Sequence, residues 1–279
     1  MRFEKWQALG NDYIVIEREE IPFELSPNRV RAICAAHFGC QSDGILLLSR
    51  AESPDYVAEL RIFNPDGSEA ELSGNGAREA VLYLRRAGWT NADTFTILTA
   101  AGEITPTLTG PGSAAIAMGR ASTRSKDYPS GGDDGRGEVQ ADGRDWQFQH
   151  VSIGNPQCAI EVAEGLEDLD LGAIGPAIEA AAIFPNRTNV SFWTANGSKL
   201  RARIFERGVG ETLSSGTGAS GAAIAAYLSG TASPITVQMD GGTLAVELTP
   251  ELELTLIGTA EPVFAGEFSP EFVHELEQG

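Results

Sequence analysis

A 17-residue segment occurs twice in this chain. RIFNPDGSEAELSGNGA, from Arg61 to Ala77, and RIFERGVGETLSSGTGA, from Arg203 to Ala219, align without a gap at an offset of 142 and agree at eight positions. Unrelated segments of that length share about one residue. Because 142 is close to half of the 279 residues, the repeat implies two equivalent halves, each built on one strand, loop and helix. The expected domains are residues 1–118, joined by the tail 266–279, and residues 119–265. Two domains also match a soft prior of about 150 residues per domain.

Short β-branched and aromatic runs predict strands at Asp12–Glu17, Ile45–Leu48, Val57–Phe63, Phe95–Leu98, Ile235–Met239 and Leu252–Leu256. Ala, Leu and Arg content predicts helices at Pro27–His37, Ala77–Ala87, Ala173–Ala182 and Gly218–Leu228. Strands dominate, with isolated helices between them, which indicates an α+β protein. The GGTL turn at Gly241–Leu244 reads as a hairpin. From Ser122 to Gly137 nearly all apolar residues vanish, so residues 122–137 are expected to form an exposed loop with no share in a core. The acidic runs Glu161–Asp170 and Glu271–Glu277 read as solvated faces, and the four scattered tryptophans as packing residues.

Each copy of the repeat ends in Ser-Gly-x-Gly-Ala and enters a helix. Unpaired N–H groups at such a glycine-lined helix start favour an anion, and two termini acting together would clamp one carboxylate. Composition narrows the partner. A formal charge of −19 repels phosphate backbones and anionic membrane surfaces, so nucleic acid and membrane are not expected partners. Cys34, Cys40 and Cys158 are too few for a disulfide framework and have no metal-ligand spacing, which points to a reducing cytoplasm and no metal.

Five ordered motifs then carry a family resemblance: LGNDY at Leu9–Tyr13, FNPDGSEAELSGNGAR at Phe63–Arg78, GNPQ at Gly154–Gln157, FPNRTNV at Phe184–Val190 and ERGVGETLSSGTGA at Glu206–Ala219. Together they resemble the diaminopimelate epimerases, cofactor-independent amino-acid epimerases of lysine and peptidoglycan synthesis. The resemblance implies two pseudo-symmetric domains, each a mostly antiparallel β-sheet around a central helix, with the active site in the cleft between them. It implies no pyridoxal phosphate or other cofactor, a diaminopimelate substrate interconverted between LL and meso forms, and a homodimer. Two cysteines act in that family on opposite faces of the substrate α-carbon. By the same resemblance Asn11, Asn64, Asn155, Asn189, Glu206 and Arg207 would hold the distal amino-acid group, and Gly74, Asn75, Gly216 and Thr217 the α-carboxylate. A proline or hydroxyproline racemase fits less well, because the Asn, Glu and Arg set reads a second amino-acid end that proline lacks.

The departure lies at the chemistry. The acid/base positions are held by Ser73 and Ser215, and Gln157 stands where the family usually has a histidine near the catalytic pair. A thiol ionises near pH 8.5 and can be tuned downward, whereas an alcohol is a far weaker acid and needs an adjacent base. Deliberate Cys-to-Ser replacement accounts for the serines, and divergence accounts for the serines and Gln157 together. Two functions follow: an epimerase with Ser73 and Ser215 in the catalytic positions and reduced turnover, or a relative that binds an amino acid without inverting it or carries out another step such as dehydration. His37, His150 and His274 have no motif context that assigns them a role.

Overall fold

All 279 residues are described by the computed structural model. In chain order the elements are β1 (Arg2–Ala8), β2 (Asn11–Glu17), α1 (Pro27–Cys34), β3 (Ile45–Ser49), β4 (Glu59–Phe63), β5 (Glu69–Ala70), α2 (Gly74–Arg86), β6 (Ile97–Thr99), β7 (Gly102–Ile104), β8 (Thr107–Gly110), β9 (Ser113–Arg120), β10 (Arg136–Ala141), β11 (Arg144–Ser152) and β12 (Pro156–Glu161). They continue as α3 (Leu171–Glu179), β13 (Asn189–Asn196), β14 (Lys199–Glu206), β15 (Gly210–Thr212), α4 (Gly216–Leu228), β16 (Ile235–Met239), β17 (Gly242–Leu248), β18 (Glu253–Thr259), β19 (Glu261–Glu267) and α5 (Pro270–Gln278).

The chain divides into two units, Met1–Ile116 with Gly258–Gly279, and Ala117–Ile257. It returns to the first unit at Gly258 rather than at residue 266, because β19 pairs antiparallel with β1 from Gln7↔Glu261 to Arg2↔Glu267. In the first unit an eight-stranded sheet runs β19-β1-β2-β3-β4-β6-β7, with β5 on β4. The other sheet has eleven strands and runs β10-β11-β12-β13-β14-β16-β17-β18-β9-β8, with β15 on β14. Strand by strand the two units repeat one plan. β2 is parallel to β3 and β3 antiparallel to β4, while β12 is parallel to β13 and β13 antiparallel to β14. The short hairpins match residue for residue, Ile62↔Ala70 and Phe63↔Glu69 against Ile204↔Thr212 and Phe205↔Glu211, again 142 apart. Both are tied by an arginine on a glutamate, Arg61 on Glu69 and Arg203 on Glu211. The α+β architecture read from the sequence is therefore present, with the duplicated segment at its centre.

Each unit wraps its sheet on one helix. α2 contributes Ala80, Val81, Leu82, Tyr83 and Leu84 to a core with Trp6, Val15, Leu46, Leu48, Leu60, Ile62 and Ile97. α4 is buried from Gly218 to Ala226. A helix of Gly, Ala and Ser with no polar face belongs inside a sheet that surrounds it. Its small residues set how close the strands approach: a Cβ at Gly221 would lie 2.9 Å from Gln157 Cβ. The predicted GGTL hairpin joins β16 and β17, and Trp6, Trp146 and Trp193 are core residues.

One expectation needs correction. Residues 122–137 are not wholly exposed: Tyr128 packs on Phe148 and Phe184, and the Asp127 carboxylate accepts a 2.8 Å hydrogen bond from Asn186. One aromatic in a polar stretch is enough to pin it, since its burial recovers what its polar neighbours cannot. The acidic tail is the solvated face expected, with Glu271, Glu275 and Glu277 exposed on a helix. Residues 270–278 form α5, capped by Ser269 with Pro270 at its first turn, and Leu276 is buried. Ser-Pro followed by helix formers is an N-terminal signal that the acidic composition obscured. No helix is long and apolar enough to cross a membrane.

Candidate active site

Helix propensity alone would start the two central helices late, because Gly is a poor helix former. Both begin three residues ahead of the alanine-rich run, at Gly74 and Gly216. A serine sets each start. Ser73 and Ser215 are extended N-cap residues whose hydroxyl oxygens accept from the third helical N–H, Gly76 N at 3.1 Å and Gly218 N at 3.2 Å. The glycine at that third position has a steric reason. A Cβ on Gly218 would meet Ile204 at 2.7 Å, and one on Gly76 would press on the Leu46 side chain at 3.0 Å, so glycine lets the helix start lie close on the neighbouring strand.

Four N–H groups at a helix start lack intrahelical acceptors. Here these belong to the capping serine and the first three helical residues; the serine hydroxyl takes the third helical N–H, and the helix's own bonding begins with Ala77 to Ser73 O and Ala219 to Ser215 O. The N–H groups of Gly74 and Asn75 in one unit, and of Gly216 and Thr217 in the other, are the donors left for an anion, at the positive end of each helix dipole.

Around Ser73 the side chains form a chain of amides. Asn75 donates to Asn11 Oδ1 at 3.1 Å, Asn11 donates to Asp43 at 2.9 Å, and the fully buried Arg78 donates to Asn75 Oδ1. Arg78 also donates to Gly74 O at 3.2 Å, so one guanidinium fixes both cradle residues. The Tyr13 hydroxyl lies 3.4 Å from Ser73 Oγ. Asn64 is turned away into its own loop, donating to Ser68 Oγ at 2.9 Å.

Ser215 has different company. Its hydroxyl donates to Glu206 Oε2 at 3.0 Å, and Thr212 donates to Glu206 Oε1 at 2.9 Å. Burial pushes the Glu206 carboxyl above the usual carboxylate range, and these two hydroxyls pull it partly back. Asn155 donates to Thr217 Oγ1 at 3.2 Å and accepts from Gln157 at 2.8 Å, so Gln157 orients the asparagine at the helix start. Asn189 has both amide atoms on backbone, donating to Pro156 O and accepting from Arg207 N, which fastens the Arg207 turn to β12. The Arg207 guanidinium is exposed and donates to Asn186 O at 2.9 Å.

The predicted residues thus gather in two sets, Ser73, Gly74, Asn75 and Asn11 in the first unit, and Ser215, Gly216, Thr217, Asn155 and Glu206 in the second. Sequence reading missed Tyr13 beside Ser73, although it lies inside the LGNDY motif. It also missed that Glu206 meets the Ser215 hydroxyl, which a carboxylate nine residues upstream across a tight hairpin could have suggested. The three cysteines offer no substitute base. Cys158 is fully buried, and burial raises the thiols of Cys34 and Cys40, the latter up to about 11.

The sequence profile of the diaminopimelate epimerase family matches residues 3–124 and 149–264, most of the chain. Two further relatives agree. Diaminopimelate epimerase 2 of Nostoc sp. is 38% identical over 277 residues, covering 97% of this chain and 96% of that protein. The diaminopimelate epimerase of Pelotomaculum thermopropionicum is 37% identical over 279 residues, covering 96% and 99%.

This chain belongs to the diaminopimelate epimerase family.

Among solved structures the same fold recurs at low identity. A hydroxyproline epimerase from Agrobacterium vitis superposes with a TM-score of 0.65 at 16% identity, covering 98% of this chain and 94% of the other. A PhzC/PhzF protein from Clostridium difficile gives 0.69 at 12% identity, covering 96% and 99%.

Proposed function

We propose that the chain is a diaminopimelate epimerase that inverts one α-carbon without a cofactor, with Ser73 and Ser215 in the acid/base positions. The observation that supports this most is the matched placement of these hydroxyls, each capping the first turn of its unit's central helix beside two unpaired backbone donors. Those donors and the helix dipoles suit a substrate carboxylate and the charge that builds on it as the α-proton leaves. Inversion needs one proton acceptor and one proton donor.

In this reading the second unit supplies the acceptor. The substrate's Cα–H proton passes to Ser215 Oγ while the Ser215 hydroxyl proton moves to Glu206, so no isolated alkoxide forms. The first unit supplies the donor, as Ser73 Oγ–H protonates the other face of the carbanion. Each unit of pKa mismatch costs about 1.4 kcal/mol, so alcohols in place of thiols slow this chemistry severely. Asn11, Asn155, Asn189 and Arg207 would serve the distal group, and Gly74, Asn75, Gly216 and Thr217 the α-carboxylate, while Asn64, turned onto Ser68, and Glu206, bonded to Ser215, would not hold the distal group. Asn189 would act through the Arg207 backbone rather than by touching substrate. The same reading has the enzyme working in the cytoplasm as a homodimer in lysine and peptidoglycan synthesis.

The weak acidity of serine favours a second reading, an amino-acid-binding relative without turnover. Proton NMR with meso-diaminopimelate in deuterated water separates the two, run beside the Ser73→Cys, Ser215→Cys double variant. Exchange of the α-proton in the parent supports the epimerase. Binding without exchange in the parent, with exchange restored in the double variant, supports the binding relative. Absence of both binding and exchange in either protein overturns the substrate.

A further inference from the structure

The two units repeat each other, so what differs at matched positions around the two serines is informative. Two pairs of equivalent positions bear on the comparison. Residues 64 and 206 are related by the 142-residue offset and end equivalent strands. Residues 13 and 157 follow Gly10-Asn11 and Gly154-Asn155, glycines of nearly the same φ, 84° and 82°, that open equivalent strands. In the second unit the pair is Glu206 and Gln157. Glu206 takes the Ser215 proton, while Gln157 is turned aside onto Asn155. In the first unit the pair is Asn64 and Tyr13, and the roles are exchanged. Asn64 is turned aside onto Ser68, and Tyr13 reaches the serine.

The sense of the hydrogen bonds is opposite as well. Ser215 Oγ accepts one bond, from Gly218 N, and gives its proton to a carboxylate. Ser73 Oγ accepts two, from Gly76 N at 3.1 Å and from the Tyr13 hydroxyl at 3.4 Å, which leaves its own proton to be given outward. The tyrosine is held to this task. Its ring is buried, and a Cβ on Gly44 would lie 2.7 Å from Tyr13 Cε1 and 2.2 Å from Phe63 O, so the ring occupies space that only glycine leaves open.

We propose that Tyr13 is a positioning residue that makes Ser73 the proton-donating member of the pair, by donating its phenolic hydrogen to Ser73 Oγ, while Glu206 makes Ser215 the accepting member. The catalytic half of this statement rests on the epimerase reading, but the hydrogen-bond polarity does not. In the donating step the Ser73 O–H bond breaks, the new Cα–H bond takes that proton, and the alkoxide left behind is held by Tyr13 O–H and Gly76 N–H until solvent returns a proton.

The polarity is tested on the full-length chain by replacing one serine at a time with cysteine and following alkylation of the introduced thiol by iodoacetamide against pH, with peptide mass spectrometry to separate it from Cys34, Cys40 and Cys158. A phenol donor favours the anion at position 73. Adding Tyr13→Phe to Ser73→Cys should raise the apparent thiol pKa by about one unit. Adding Glu206→Gln to Ser215→Cys should lower it, because a carboxylate no longer opposes the thiolate. Equal pKa values with and without the Tyr13 hydroxyl overturn the proposal. The catalytic half is read separately in deuterated water. Tyr13→Phe should keep α-proton exchange with retention for the epimer whose hydrogen faces Ser215, lose it for the other, and slow inversion in both directions. Loss of both exchanges alike, with folding intact by circular dichroism, marks Tyr13 as merely structural and overturns its role in donation. A thiol shift as expected in a chain whose parent shows no exchange supports the hydrogen-bond assignment and overturns the epimerase reading alone.

Discussion

Ser215 and Glu206 form the one hydroxyl–carboxylate pair at the repeated helix starts, 3.0 Å apart, and the position matching Glu206 in the other unit is Asn64. A pair that accepts a proton must begin with the carboxylate ionised. Burial has moved the Glu206 carboxyl up, so α-proton exchange should fall as pH drops through a value above the ordinary carboxylate range. Glu206→Gln should lower the exchange rate about 10²- to 10⁴-fold and remove that acidic limb. An unchanged pH–rate profile in this variant counts against a proton-accepting role.

Glu79 on α2 is fully buried, and no side chain hydrogen-bonds its carboxylate. Burial raises its carboxyl well above the usual range, with Arg78 and a hydrogen bond from the Tyr13 backbone opposing the shift. A folded-state pKa above the unfolded one gives stability that is complete at low pH and is lost as pH rises through the folded value. Glu79→Gln should therefore be more stable than the parent at pH 8, by about 1 kcal/mol, and lose that advantage near pH 4. Urea melts at the two pH values decide it.

His150 shifts the opposite way. It is buried, its Nε2 lies 2.9 Å from Ser125 Oγ, and burial lowers its pKa to about 4, with Asp127 partly opposing. A depressed value gives stability that is present above the unfolded value of about 6.5 and is lost as pH falls through about 4. The segment 122–137 should accordingly loosen first on acidification. Hydrogen exchange at pH 7 and pH 4.5 should show protection lost there before it is lost in β13 and β14, and simultaneous loss everywhere would refute the link.

The duplicated arginine–glutamate pairs should differ in strength. Arg61 is nearly half exposed, whereas Arg203 is mostly covered and also donates to Leu166 O and Leu169 O. Exposed pairs contribute little, and buried carbonyls left without a donor cost more. Arg61→Ala should cost about 0.5 kcal/mol and Arg203→Ala about 2 to 3 kcal/mol in denaturant unfolding. Equal losses would mean that the carbonyl contacts do not matter.

The sequence carried most of the scaffold and only part of the site. The repeat was legible because Arg61, Glu69, Ser73 and their counterparts 142 residues later are chemically conspicuous, and in the structure they occupy matched positions of β4, β5, β14, β15 and the two helix caps. The true helix starts were hidden by the very glycines that make close packing on Leu46 and Ile204 possible. The Tyr13 contact could not be read at all, because it joins residues 60 apart through the meeting of β2 with the α2 cap. Glu206 was legible as a polar site residue, but its hydroxyl partner depends on how β14 folds back through β15.

The return of β19 to β1 makes the two units unequal in how the chain closes them. The second is a single unbroken stretch, Ala117–Ile257, whereas the first is completed only when Arg2 meets Glu267, so its edge depends on a pairing between segments far apart in the chain.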